Sequence, residues 1–281
     1  MEKRIIWRGV LAGAIGGLLA FVFARIFAEP QIQKAIAYED GRDHAQEALN
    51  AAVGISPHEH ADPFSRAVQG NVGIGVALIF FGAAMGALFA VAYALYLGRS
   101  GRLRPRSLAM FLAGGGFLGF YLVPFLKYPA NPPAVGNEDT IRQRSGLYLL
   151  MVLASLVFLV LTVWLGKRLR ARFGTWNATL LAGGVFVVAT GIVMLLLPSF
   201  GELSANASLH SATETPGPLT DSTGKIVFPG FPADVLFSFR LYSVGAQVLL
   251  WATIGLVFAP LAERLLDPKP ARAKETELVT A

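Results

Sequence analysis

The sequence predicts an all-α, polytopic integral membrane protein of about six transmembrane helices with both termini in the cytoplasm. Three observations carry this expectation. The 281 residues are 54% hydrophobic and only 15% charged, whereas a soluble domain carries about 25% charged residues. The apolar residues are gathered in long runs, the pattern that fills a bilayer and not a globular core. The basic residues, finally, cluster beside alternate ends of those runs.

Six stretches are long enough to cross roughly 30 Å of hydrocarbon at about 1.5 Å per residue. They cover residues 5–27, 71–97, 107–126, 146–165, 176–197 and 239–261. The N-terminus is basic and then apolar, like a signal peptide. The apolar stretch is long, however, and the small-residue site Ala35-Ile36-Ala37 lies too far downstream, so an uncleaved first helix is expected. Arg8 and Arg25 lie near its ends, within snorkelling reach of the interface. The third stretch is short and its outer end meets Pro124, which predicts a broken or tilted end.

Charge sets the orientation. With the N-terminus inside, the inner segments hold Lys3, Arg4, Arg8, Arg99, Arg102, Arg104, Arg106, Lys167, Arg168, Arg170, Arg172, Arg264, Lys269, Arg272 and Lys274, which is 15 of the 24 basic residues. The outer segments hold 13 of the 18 acidic ones. Every inner segment is then basic, as the positive-inside rule requires, and an odd number of spans breaks the alternation. This placement accounts for the net charge of +6 without nucleic acid as a partner. Residues 268–281 read as a flexible cytoplasmic tail. Glycines recur at a spacing of four in Gly13/Gly17, Gly82/Gly86 and Gly115/Gly119, which predicts close helix packing.

The expected extracytoplasmic loops are 28–70 and 198–238. The first is acidic and holds three of the four histidines, His44, His58 and His60. Imidazole and carboxylate together are ligands for borderline divalent metals. In Ser56-Pro57-His58-Glu59-His60-Ala61-Asp62, the two histidines fall on one side of an extended chain, where both reach one metal. The alternative reading is a helix start, with Ser56 and Glu59 as a capping box and Pro57 at the first helical position. In that case His58 pairs with Asp62 instead. His44 lies in an amphipathic stretch with Asp40 and Glu47 within a turn, where local ion pairing competes with metal binding.

Residues 128–133 (Tyr-Pro-Ala-Asn-Pro-Pro) impose an extended, polyproline-like path. Arg142 and Arg144 are expected at the mouth of the fourth span. The middle of the last loop, from Ser204 to Gly224, reads as irregular, and His210 with Glu214 as exposed. Asp234 and Arg240 flank the entry to the last span, with Gln247 two turns deeper and facing the bundle interior. These five, Asp234, Arg240, Gln247, Arg142 and Arg144, are the candidates for a translocation path.

Several chemistries are excluded. There is no cysteine, hence no thiolate metal site and no disulfide. No Walker A, GxSxG or HExxH motif is present, which argues against an enzyme and against ATP hydrolysis by this chain. No permanently bound cofactor is expected, and no span carries a central Lys, Asp or Glu.

The order of these features resembles the CbtA family, described as a probable cobalt transporter subunit. The shared features are the basic first span, Ala37-Tyr38-Glu39, then His58-Glu59-His60 with Ser65-Arg66. They continue with residues 128–133 and Val135-Gly136, then residues 231–236 (Phe-Pro-Ala-Asp-Val-Leu) leading to Phe239-Arg240-Leu241. The resemblance implies a bacterial inner-membrane protein for cobalt uptake linked to cobalamin synthesis, with Co²⁺ as the transported ion. It also implies a partner, a small one-span subunit with a His-rich tail, named CbtB. Self-association as a homo-oligomer is left open. The leading expectation is a metal permease subunit in which His58, His60, Glu59, Asp62 and His44 capture the ion. A non-conducting metal-binding or assembly subunit is the alternative, and a membrane enzyme at the outer interface is the least supported.

Overall fold

The computed structural model describes residues 2–54, 73–99, 101, 103–209 and 213–266. The helices are α1 (Glu2–Phe23), α2 (Glu29–Ala52), α3 (Ile74–Tyr96), α4 (Pro105–Gly116), α5 (Val123–Lys127), α6 (Ile141–Leu196) and α7 (Ala233–Leu266). A two-stranded antiparallel hairpin, β1 (Leu219–Thr220) with β2 (Ile226–Phe228), lies in the last loop. Among the described residues, five helical stretches are long and apolar enough to cross a membrane.

Two prolines shape the helices in the same way. Pro30 has no N–H for the carbonyl four residues before it, and the turn just upstream, Ala24–Ala28, is a π-helix. The wider turn makes room for the ring, and the helix continues as α2. Residues 29–52, placed in the expected outer loop with an amphipathic stretch from Asp43 to Val53, are therefore one helix continuing from the first span to Ala52. Pro124 is likewise preceded by a π-helix, Phe117–Leu122. The third span is thus not broken at Pro124 but runs through it to Lys127.

The longest helix, α6, has 56 residues and if straight would run about 84 Å, far more than one crossing needs. Gly174 (φ 73°, ψ 174°) breaks it. The two arms fold back on each other there: a Cβ on Gly166 would stand 3.6 Å from that of Ala182, and Met151 packs in one cluster with Val193 and Met194. The left-handed φ at the turn favours glycine, because any Cβ would be strained there.

The main core is built by α1, α3, α4 and α7, around Ala12, Ala90, Tyr93, Ala109, Leu250, Ile254 and Phe258. Phe258 meets Phe89 and Tyr93 edge-on at 5.0 and 4.9 Å. Helix α1 lies directly on α3: a Cβ on Gly9, Gly13 or Gly17 would collide with the carbonyl of Gly86, Gly82 or Leu78. In the third span the working pair is Gly116 at the end of α4 and Gly119 in the π-turn after it, against Trp251 and Leu156, while Gly115 faces open space. The α6 hairpin packs on a second cluster around Val123, Tyr128 and Met151. Apolar side chains face outward, with Leu195 87% and Trp176 74% exposed, a surface suited to lipid and not to water.

The ends of the bundle differ in chemistry. At the basic end Arg106 pairs with Glu263, and Arg8 donates to the Leu261 carbonyl in the last turns of α7, where a cation also meets the negative end of the helix dipole. The other end, the loop end, carries the long connections.

Candidate functional site

At the loop end the polyproline segment, the start of α6 and the last loop enclose a cleft of about 860 Å³, lined by residues that include Tyr121, Tyr128, Asn131, Arg144, Tyr148 and Phe200. A smaller cavity of about 310 Å³ adjoins it and shares Pro129, Asn131 and Phe200. Its lining adds Lys127, Glu214, Thr215, Ser199 and Arg240.

The wall between loop and bundle is a buried polar network. Asn137 caps the turn before α6, its Oδ1 accepting from the Asp139 N–H at 3.0 Å. Its Nδ2 donates to Asn206 Oδ1 at 2.9 Å. Asn206 in turn donates to Glu214 Oε1 at 2.7 Å, and the Thr140 hydroxyl lies 2.5 Å from the same oxygen. Glu214, expected as exposed, has a side chain only 1% exposed, with Oε2 3.2 Å from Arg144 Nη1. That Oε2 and Arg144 Nε are buried without a hydrogen bond. Arg144 Nη2 donates to the Asn137 carbonyl at 3.2 Å. Gly136 (φ 139°) leaves the space that the guanidinium fills. Tyr128 and Phe200 stack at 4.8 Å beneath the network, and the Tyr128 hydroxyl donates to the Pro198 carbonyl at 2.8 Å.

Arg240 joins two segments that are distant in sequence. From the second turn of α7 it donates Nε to the Ala130 carbonyl at 3.2 Å and Nη2 to Asn131 Oδ1 at 2.7 Å. The proline-rich path presents these acceptors because prolines leave its carbonyls without local N–H partners. Helix α2 then holds the last loop down. The Tyr38 hydroxyl donates to the Pro229 carbonyl at 3.0 Å, and Arg42 to that of Gly217 at 2.8 Å. The Tyr38 ring packs edge-on against Phe231 at 4.9 Å.

The other expected site residues fall as follows. His58, Glu59, His60 and Asp62 lie outside the described residues, as do His210 and the tail from 267. His44 is exposed on α2, and its Nδ1 lies 2.6 Å from the Asp40 backbone carbonyl, not from a carboxylate. A carbonyl only accepts, so Nδ1 carries a proton. This hydrogen bond, together with the charges of Glu47, Asp40 and Asp43, raises the His44 pKa above its ordinary value, which favours the charged ring over the neutral form that binds metals. Arg142 and Asp234 are exposed. Gln247 is half-buried; among the described residues no hydrogen bond joins it to another helix. In the region from Ser204 to Gly224, expected as irregular, the described residues include a 3₁₀ turn, Ser204–Leu209, and the two-residue strand Leu219–Thr220. Among the described residues no three His, Asp or Glu side chains come together as a metal site.

Sequence reasoning missed Glu214, Asn206, Thr140 and Lys127. The capping pattern Asn137-Glu138-Asp139-Thr140 before an apolar run was a usable signal for the first turn of the hairpin. Nothing near Glu214 has a period that announces burial.

No characterised protein and no solved structure shows a significant match to the chain. A family profile does match, over residues 2–263, and its description is probable cobalt transporter subunit (CbtA). The match spans the whole helical bundle and the loop-end cleft, and on that evidence the chain belongs to the CbtA family.

Proposed function

We propose that this chain is the membrane-embedded subunit through which a divalent cation, cobalt, enters the cell, without ATP hydrolysis of its own. The observation that carries the reading is the family match over residues 2–263. In this reading the chain crosses the inner membrane six times, α6 counting twice, with both termini in the cytoplasm and the loop end outside. The uptake serves cobalamin synthesis, and a small His-rich one-span subunit is the partner.

The capture step falls to His58, Glu59, His60 and Asp62. Helix α2 supports this assignment, since it carries the chain about 36 Å beyond the first span and ends at Ala52, close before those residues in sequence. His44 stands exposed on the same extension. Arg144 and Arg240 shape the entrance and do not ligate, because guanidinium groups repel a bare cation. Replacing His58 and His60 by Ala lowers cobalt accumulation in cells at normal expression; unchanged accumulation removes them from capture.

A second reading is a subunit that binds metal without conducting it. It is favoured by the spans themselves, none of which carries a central Lys, Asp or Glu to escort an ion across. Flux through vesicles holding this chain alone separates the two.

A further inference from the structure

Two half-buried cations from different helices, Lys127 and Arg240, line the smaller loop-end cavity of about 310 Å³. Glu214 is on the same lining, but its charge is already countered: Oε2 stands 3.2 Å from Arg144 Nη1, on a side chain only 1% exposed. Among the described residues neither Lys127 nor Arg240 has a carboxylate within 4 Å. Their donors are also in surplus. Arg240 spends Nε and one Nη2 proton on neutral acceptors, the Ala130 carbonyl and the Asn131 amide oxygen, and a guanidinium has five N–H donors. Among the described residues Lys127 Nζ donates no hydrogen bond and lies 5.8 Å from the Tyr128 ring centre. Partly desolvated charges that lack a counter-charge are costly, and a bound ion of opposite sign removes the cost.

We propose that this cavity binds a phosphate group, held between Lys127 and Arg240. A phosphate brings a full negative charge and several acceptor oxygens, which match two cations with N–H donors to spare. The hydroxyls of Ser199 and Thr215 lie on the same lining and add neutral donors. A cavity of this volume is at the small end of ordinary ligand sites, in keeping with a head group and not a whole lipid. Position favours a phospholipid as the source. Lys127 is the last residue of the third span, where long basic side chains reach the headgroup layer. Leu126, beside it on the lining, is 67% exposed, so the cavity borders the apolar outer surface. Free inorganic phosphate shares the chemistry. Either one would tie the end of α5 to the second turn of α7, whatever ion the chain carries.

The test is calorimetric titration of the purified, delipidated full-length protein in detergent at matched ionic strength. The probes are short-chain phosphatidylglycerol, short-chain phosphatidylcholine, inorganic phosphate and citrate. Phosphatidylglycerol is expected to bind at least about tenfold more tightly than phosphatidylcholine, whose choline cation opposes the site, a difference of about 1.4 kcal/mol. Lys127→Gln removes a charge but no hydrogen bond of the fold, and is expected to lose about tenfold in that affinity, while Lys127→Arg keeps it. Lys225→Gln removes an exposed charge from the hairpin, off the lining, and is expected to bind like the parent. Inorganic phosphate binding as tightly as phosphatidylglycerol, with the same loss in Lys127→Gln, supports the phosphate site and makes the free ion its source. Absence of binding by both phosphate probes overturns the proposal. So does equal affinity for the two lipids without binding of inorganic phosphate, which would mark a non-selective lipid surface. Citrate binding more tightly than either phosphate source would make the site a carboxylate seat and also overturns it, as does unaltered binding by Lys127→Gln or an equal loss in Lys225→Gln. The ranking of the four probes is read on the parent chain and needs no variant to fold.

Discussion

Ser155 Oγ donates to the backbone carbonyl of Gly119 at 2.5 Å, across the seam between α6 and the π-helical turn before Pro124. That carbonyl has no partner within its own helix. The Val123 N–H reaches back to Leu118 instead, and Pro124 has no N–H. At the next residue of the same defect, the Phe120 carbonyl, whose i+4 residue is Pro124, accepts from the Tyr148 hydroxyl at 3.2 Å. The two hydroxyls stand seven residues apart on one face of α6 and repair a proline defect that lipid cannot solvate. Ser155 has a single proton, and its contact with Gly119 is shorter than the 2.8 Å to Val152 in its own helix.

Removing the repair exposes its worth. Ser155→Ala leaves a buried carbonyl unsatisfied, at a cost of roughly 1–3 kcal/mol. Tyr148→Phe is expected to cost less, given its longer bond. Thermal unfolding in detergent should show Ser155→Ala melting below Tyr148→Phe and both below the parent chain. An unaltered melting point for Ser155→Ala would mean that the carbonyl is satisfied elsewhere.

The contact between α1 and α3 has no room for a side chain. Gly13→Leu should therefore abolish the monodisperse folded protein on size-exclusion chromatography. Gly114→Ala serves as the comparison, because nothing lies within 4 Å of a Cβ there, and a helix gains about 1 kcal/mol from the exchange. Equal behaviour of the two variants contradicts the packing described.

Glu214→Gln removes the counter-charge of Arg144 while keeping most of the shape. Breaking a buried pair on one side costs about 3–5 kcal/mol, and the lower figure applies because the Arg144 side chain retains 22% exposure. Limited proteolysis should cut the 198–232 loop faster in this variant than in the parent. Gly136→Ala, which crowds the Arg144 guanidinium, should do the same.

Orientation is accessible to labelling, since the chain contains no cysteine. A membrane-impermeant maleimide added to intact cells should modify Ala45→Cys and Thr223→Cys but not Ala171→Cys. Labelling of all three, or of Ala171→Cys alone, contradicts six crossings with both ends inside.

The fold was legible where bulk hydropathy decides. The apolar runs lie within helices, though the first helical stretch continues to Ala52 and two of the runs share α6, and the glycines of α1 and α3 met as their spacing implied. Where one residue decides, the outcome was hidden. Pro124 looked like a broken or tilted helix end, but a π-turn absorbs it, and that depends on Ser155 from another helix. The site was legible at Arg144 and Arg240, charged residues flanking apolar runs. Glu214 was not, because its burial comes from Asn206, Thr140 and Arg144, and the last two lie some seventy residues away. A polar stretch that folds onto a bundle has the composition of one that does not.

Movement of cobalt across a membrane by this chain is the central claim. The most direct measurement is Co²⁺-dependent quenching of a dye sealed inside lipid vesicles that hold the purified chain alone, with protein-free vesicles as the baseline. Quenching is expected to be faster than baseline and to be slowed by replacing His58 and His60 with Ala. Cobalt bound to the vesicles with quenching at the protein-free rate would contradict the claim and leave a binding subunit in its place.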